Sequence, residues 1–365
     1  MKIIILSDAN SIHTLKWARS LKQEEIELKI FSFFRPNSLS KKKYKEMDIE
    51  IVSPDLKRKI KALRKPNLGK IRYFNSIFLF RKMIKEFNPT LIHAHYASSY
   101  GVLALLSRFR PFVLSVWGSD VYHFPNQNII YNQILKLVVR SSDKVCSTSM
   151  AMKEILLNRY KRKDVELIPF GVDVNDFKQL KKSSNEFTVG TIKSIEKHNG
   201  IDCLIDAADI LVHTYKIDIR FIVVGTGTLK KQMEEKTNKK RLDKFINFQG
   251  YVDHQNVKKY YKRLSVFIAV STSESFGVSI LEAAAFGIPS ITSNVGGLKE
   301  VNINNQTGLV IEPNQPKQLA DAIVKLYKDK KLRMRLGDNA RNRVVQKFNW
   351  NDNVKKMITL YNELL

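Results

Sequence analysis

Two carboxylates with seven residues between them stand at the centre of the most chemically suggestive segment, Ser271-Thr272-Ser273-Glu274-Ser275-Phe276-Gly277-Val278-Ser279-Ile280-Leu281-Glu282. The segment follows an apolar run, Ser265–Val270, that reads as a strand. Ser273 or Ser275 is expected to cap a helix that starts near Phe276 or Gly277. Gly287 and Pro289 then end it after about ten residues. The first amides of such a helix, those of Gly277, Val278 and Ser279, are a phosphate site, and a glycine there permits close approach. Glu274 in the loop and Glu282 two turns into the helix would accept hydrogen bonds from hydroxyls on either side of that phosphate. Read alone, the pair is equally open to a bland account: a helix-start acid favoured by the helix dipole, and an acid on a solvated face.

Those residues need strands to hold them. Short β-branched runs alternate with helix-length stretches along the whole chain. The first half offers Lys2–Ser7, Leu28–Phe34, Thr90–His95, Phe112–Val116, Lys144–Ser147 and Val165–Pro169. The second offers Phe187–Ile192, Arg220–Val224, Phe245–Phe248, Ser265–Val270, Pro289–Ser293 and Gly308–Ile311. The pattern predicts parallel sheets built from βαβ units, and two successive series predict two doubly wound α/β domains. A length of 365 residues suits two cores. The expected boundary lies in Ile168-Pro169-Phe170-Gly171-Val172-Asp173, giving domains 1–170 and 171–350. A tail helix, 351–365, with apolar residues on one face, is expected to join the first domain.

Composition narrows the classes further. Two cysteines, Cys146 and Cys203, make no disulfide framework and no metal-ligand cluster, and a reducing compartment fits them. The apolar start Ile3-Ile4-Ile5-Leu6 is too short for a signal-peptide core, and no run has the length to span a bilayer. A cytoplasmic location is therefore expected. The charge is far from balanced, with 62 Lys and Arg against 35 Asp and Glu. Between Lys41 and Lys85 there are 15 basic residues and four acidic ones, interleaved with apolar residues, as in Leu56–Lys65 and Ile77–Lys85. Such a stretch suits an anionic membrane surface; a solvated basic face or a nucleic-acid contact would show the same composition. Nucleic acid is the least supported partner, because zinc-finger spacing, basic-region heptads and an aromatic RNA-binding strand are all missing.

The order of the motifs carries a family resemblance. Glu274 and Glu282, within Glu274-Ser275-Phe276-Gly277 and Leu281-Glu282-Ala283, resemble the E-x7-E motif of the retaining glycosyltransferases of family 4. Gly190, Lys197 and Gly200 are similar to that family's glycine–cation–glycine segment. Val223–Gly227, Phe248–Val252, Asn294–Gly297 and Gly308–Val310 follow in the family's order. The resemblance implies the GT-B fold: two Rossmann-like domains facing across a cleft, the second holding a nucleotide-sugar donor.

It also implies roles. Glu274 would meet the donor sugar's hydroxyls, Ser273 and the backbone of Phe276, Gly277, Val278 and Ser279 the sugar and phosphates, and Glu282 the ribose. Lys197, with Lys193 as a displaced second cation, would neutralise the diphosphate, and Gly250, Tyr251 and Val252 would border the base. His13 and Asp120 would serve the reacting sugar or acceptor from the first domain. The chain departs from the family where Thr191 follows Gly190 in place of an arginine, and where Trp117 precedes Gly118 in place of a histidine. No Asp-x-Asp clamp is present, so no metal is expected and the only small-molecule partner besides the acceptor is the nucleotide-sugar. His93 and His95 lie on one strand face, where a two-histidine metal pair is conceivable without a third ligand.

The resulting expectation is transfer of a sugar, with retention, to a saccharide acceptor. That acceptor is expected to be lipid-linked, at the cytoplasmic face of an anionic inner membrane, during bacterial surface-polysaccharide synthesis. Two alternatives share the layout: another GT-B enzyme, a phosphorylase or a nucleotide-sugar epimerase, and a non-catalytic polyanion-binding or membrane-binding protein.

Overall fold

The computed structural model describes residues 1–55, 69–174, 177 and 186–365. The basic run at 56–65 and most of the polar stretch at 178–186 lie outside the described residues. The chain divides into two compact units, Met1–Ile168 with Val354–Leu365, and Pro169–Asn353.

The first unit is a seven-stranded parallel sheet. Its strands are β1 (Lys2–Leu6), β2 (Glu27–Phe31), β3 (Glu50–Val52), β4 (Leu91–His95), β5 (Phe112–Val116), β6 (Lys144–Ser147) and β7 (Val165–Leu167). Their order is β3-β2-β1-β4-β5-β6-β7. β1, β4 and β5 are almost wholly buried, as expected for parallel strands covered on both faces. The short β3 has no counterpart among the expected strands. It is a three-residue edge strand opening on a charged residue, held by pairing to β2 and by an ion pair of Glu50 with Lys29, so its signal lies in a neighbour rather than in its own pattern. The core gathers Ile4, Leu6, Ile92, Leu114 and Val145 from the sheet, and Phe80, Leu103, Leu135 and Leu156 from helices. Tail residues Met357 and Tyr361 are buried, and the tail is fixed to the sheet through Tyr361, whose hydroxyl is 2.6 Å from His93 Nδ1.

The second unit is a six-stranded parallel sheet. Its strands are β8 (Thr188–Ile192), β9 (Arg220–Val224), β10 (Ile246–Gly250), β11 (Val266–Ala269), β12 (Ser290–Ser293) and β13 (Gly308–Ile311). The order β10-β9-β8-β11-β12-β13 again runs outward both ways from the first strand. In each unit the direction of winding changes beside that first strand, between β1 and β4 and between β8 and β11. Doubly wound sheets bind ligands at this point, beyond the carboxyl ends of the strands.

Candidate functional site

In the second unit, three loops leave the carboxyl ends of β8, β9 and β11 together. Lys193 is the first residue past β8, and its amide donates to Val224 O at 3.0 Å. Ile195 N donates to Thr226 O at 3.0 Å, so the β8 and β9 loops are joined by backbone bonds. The contact is close enough to require glycine. Gly225 has φ +142°, and a Cβ there would stand 1.9 Å from Lys193 O; one on Gly227 would stand 2.3 Å from Ile195 O.

Because β8 and β11 are neighbours, their loops face each other. The Lys193 ammonium donates to Ser271 Oγ at 2.8 Å and forms an ion pair with Glu274. Both side chains are largely buried, where a charge is tolerated only with a partner. Glu274 is held from behind: its carbonyl accepts from Gly297 N at 3.1 Å, and a Cβ on Gly296 would reach within 2.1 Å of that carbonyl. The Asn294–Gly297 motif is thus the buttress of the Glu274 loop.

Lys197 sits apart from this pair. It is exposed on a short turn, Lys197–Asn199, without a hydrogen-bond or ion-pair partner among the described residues. The turn is nonetheless tied to the same loop, since Thr272 N donates to His198 O at 2.8 Å. Lys193, read from sequence as a displaced second cation, is the one the fold brings onto Glu274.

The helix after this loop spans Val278–Ala285, and its start differs from the expectation of a serine cap. The N-cap is Gly277, at φ +102° and ψ +52°, and no side chain caps the helix. The chain enters through Phe276, which is buried against Phe170 and Phe348. It must then turn through left-handed backbone, which glycine alone adopts without strain. Phe276 can therefore offer only its backbone to a ligand. The amides of Val278 and Ser279 have no acceptor within the helix. Gly287, at φ +74°, ends the helix as expected.

Glu282 is not on a solvated face. It is buried, its Oε2 accepts from the Tyr261 hydroxyl at 2.8 Å, and its Oε1 lies 3.0 Å from His254 Nε2. Tyr261 is itself fully buried, and its pKa is pushed far up by burial and then by the neighbouring carboxylate. Neither partner was evident from the sequence; both lie on one helix, His254–Tyr261, which also follows the Gly250 turn. Gly250 closes β10 in left-handed backbone and accepts from Gly225 N at 2.8 Å. Tyr251 is exposed, and Val252 and Ser273 are half-buried.

In the first unit, Trp117 follows β5, His95 ends β4 and His13 opens the Ile12–Gln23 helix after β1. Trp117 packs on His95 with ring centroids 4.3 Å apart, and on His13 edge-on at 5.8 Å. Asp120 is held by backbone. Its carboxylate is buried and accepts from the amides of Ala97 (2.9 Å), Gly118 (2.8 Å) and Trp117 (3.2 Å). Burial pushes its pKa up, against the pull of those backbone donors. It positions the Trp117–Gly118 turn. His93 is spoken for by Tyr361 and by Ser115 Oγ at 2.8 Å, and burial drives its pKa down to about 3. Neither ring nitrogen of His95 has a partner among the described residues. No group of three His, Cys, Asp or Glu among the described residues could hold a metal ion.

This geometry has known counterparts. The profile of "Glycosyl transferases group 1" matches residues 173–343, and that of "Glycosyl transferase 4-like" matches residues 2–149. An uncharacterized glycosyltransferase of Methanocaldococcus jannaschii is 29% identical over 307 residues, covering 82% of this chain and 84% of the relative. A capsular polysaccharide biosynthesis glycosyltransferase of Staphylococcus aureus is 26% identical over 348 residues, covering 88% and 91%. Among solved structures, an Anabaena protein in complex with UDP superposes with a TM-score of 0.82 at 18% identity, covering 100% of both chains. Sucrose-phosphate synthase from Thermosynechococcus elongatus does so at 0.80 and 21%, covering 100% and 99%. Similarity at that level concerns the fold.

Proposed function

Since the chain belongs to the family 4-like, group 1 glycosyltransferases with the GT-B fold, we propose that it moves a sugar from a nucleoside diphosphate to a saccharide hydroxyl with retention at the anomeric carbon. The observation that carries this reading is the Lys193–Glu274 pair, set where the winding of the second sheet reverses and one loop away from the free amides of Val278 and Ser279.

The parts divide the work by charge. As the bond from the anomeric carbon to the diphosphate oxygen breaks, negative charge grows on the leaving group. Lys193, Lys197 and the helix amides are donors for that charge; the amides are fixed by the backbone and need no reorganisation as the charge forms, and the lysines turn to the diphosphate when it binds. The acceptor oxygen bonds to the same face of the sugar, and its proton ends on the departing diphosphate. Glu274, once Lys193 turns to the phosphates, is free to accept from sugar hydroxyls. Glu282, oriented by Tyr261, presents Oε1 to a ribose diol, where His254 now sits. A diphosphate held by these cations needs no divalent ion, and we propose none.

The relative named for capsular polysaccharide biosynthesis supports a cell-surface glycan as product, and neighbours solved with UDP and with UDP-glucose support a nucleotide-sugar donor. With its strong positive charge, the protein suits a lipid-linked acceptor at the cytoplasmic face of an anionic membrane. Among the described residues, no helix is long and apolar enough to cross one.

The test is transfer of label from a panel of nucleotide-sugars into a membrane lipid extract, with the product's anomeric configuration read by proton NMR. The reading requires a lipid-extractable product of unchanged configuration, lost in Glu274→Ala. An inverted product, or full activity in that variant, overturns it.

A further inference from the structure

The Ile129–Ser141 helix of the first unit has apolar residues on both sides. Leu135, Val138 and Val139 face the core. On the outer side, Ile129, Ile130 and Leu137 are 75%, 65% and 57% exposed. Surface helices carry one apolar stripe, and a helix apolar all round belongs in a core or against another phase. The neighbourhood extends the pattern. The Tyr100–Ser107 helix packs against this helix and against the Gly69–Phe87 helix, and it carries exposed Leu106. On the Gly69–Phe87 helix, Phe78 is 67% exposed. Arg81 reaches across to Leu106 O at 2.8 Å and ties these two helices together.

The charge around these side chains selects the occupant. The Tyr100–Ser107 and Ile129–Ser141 helices contain no acidic residue and carry Lys136 and Arg140, while the Gly69–Phe87 helix adds Arg81, Lys82 and Lys85 against Glu86, which pairs with Lys82. Two copies of the chain meeting here would oppose like charges, whereas anionic headgroups complement them. Exposed long apolar side chains on elements with a net positive charge suit a surface that enters the headgroup–acyl boundary.

We propose that this face, centred on Ile129, Ile130 and Leu137, docks the protein on an anionic bilayer. The inference rests on the reading of a membrane-borne acceptor and names the surface that meets it. It centres the apolar contact on a helix outside the basic 41–85 stretch.

The test is sedimentation of the full chain with vesicles of phosphatidylglycerol and phosphatidylcholine in equal parts, and with phosphatidylcholine alone. Wild type should pellet with the anionic vesicles and remain in solution with the neutral ones. The triple variant Ile129→Ser, Ile130→Ser, Leu137→Ser should lose at least tenfold in partitioning, with its melting temperature and its thermal shift by nucleoside diphosphate unchanged, since the three side chains are exposed. Equal pelleting of the triple variant overturns the proposal, as does wild type ignoring anionic lipid. A dimer in sedimentation equilibrium that the triple variant abolishes also overturns it, in favour of a second copy as occupant. The nucleotide shift is read independently: its absence with vesicle binding intact would sink the donor reading and leave the docking face standing.

Discussion

Lys193 and Glu274 come from loops 81 residues apart and meet as an ion pair because β8 and β11 are adjacent strands. Under the proposed function, donor binding exchanges this internal pair for two contacts with the ligand, Lys193 with phosphate and Glu274 with sugar hydroxyls.

Removing either partner should therefore harm turnover as well as binding. Lys193→Ala is expected to lower kcat/KM about a hundredfold, the scale of losing one charge-stabilising donor, and Glu274→Ala to lower it through the lost acceptor for the sugar hydroxyls. Lys193→Arg should retain more activity than Lys193→Ala, since it keeps the charge with altered geometry. Steady-state kinetics on the three variants provide the check, and a Lys193→Ala enzyme with wild-type kcat/KM would remove the cation from the mechanism.

Tyr261→Phe deletes one hydroxyl and leaves Glu282 Oε2 without its donor. The expected cost is about 1.5–3 kcal/mol in urea unfolding, the range for a bond to a buried charged group. Donor KM should rise with little change in kcat if, as proposed, Glu282 grips the ribose, the part of the donor that does not react. A fall in kcat with KM unchanged would place Glu282 elsewhere in the reaction.

Gly277→Ala tests the helix start. The residue is in left-handed backbone, and its new methyl would lie 3.0 Å from Ile280 Cδ1 and Leu298 Cδ2. A loss of about 1–2 kcal/mol is expected from the backbone alone, together with weaker diphosphate binding by calorimetry. Unchanged stability would mean that the left-handed turn is not required.

Acid should weaken the first unit through its buried histidines. His93 has a folded pKa of about 3 against an ordinary 6.5, so between those values the unfolded chain binds the proton and the folded chain does not. Stability is thus lost as pH falls from 6.5 towards 3, with a slope of up to about 1.4 kcal/mol per pH unit for each such group. His95, whose pKa burial also drives down, adds to it with the same sign. His93→Gln should flatten the slope by about one proton's worth in urea titrations between pH 4 and 6. A slope identical to wild type would show that His93 is protonated in the folded state.

The sequence pattern was sufficient for the fold class, because parallel strands buried on both faces are written as continuous apolar runs, and twelve of these fall on or beside strands of the structure. It failed where a partner lies far off in the chain. The strand Glu50–Val52 depends on β2; Glu282 depends on Tyr261 and His254, 21 and 28 residues away. The serine-rich loop looked like a cap because serine caps helices, but the buried Phe276 sets an entry angle that only Gly277 can turn. The three backbone amides that hold the Asp120 carboxylate were likewise not legible, because one of them, Ala97, comes from another loop 23 residues away.

The most direct measurement is a thermal-shift panel of nucleotide-sugars and nucleoside diphosphates on wild type, Glu274→Ala and Glu282→Ala. A ligand at about a hundred times its Kd adds about 2.7 kcal/mol of stability, an easily seen shift. The proposed donor site predicts that one nucleotide-sugar raises the wild-type melting temperature. The free diphosphate of the same base should raise it less, and both should lose effect on Glu282→Ala. On Glu274→Ala the diphosphate should keep its effect while the nucleotide-sugar loses its advantage. No shift from any nucleotide, or equal shifts in all three proteins, would contradict the site.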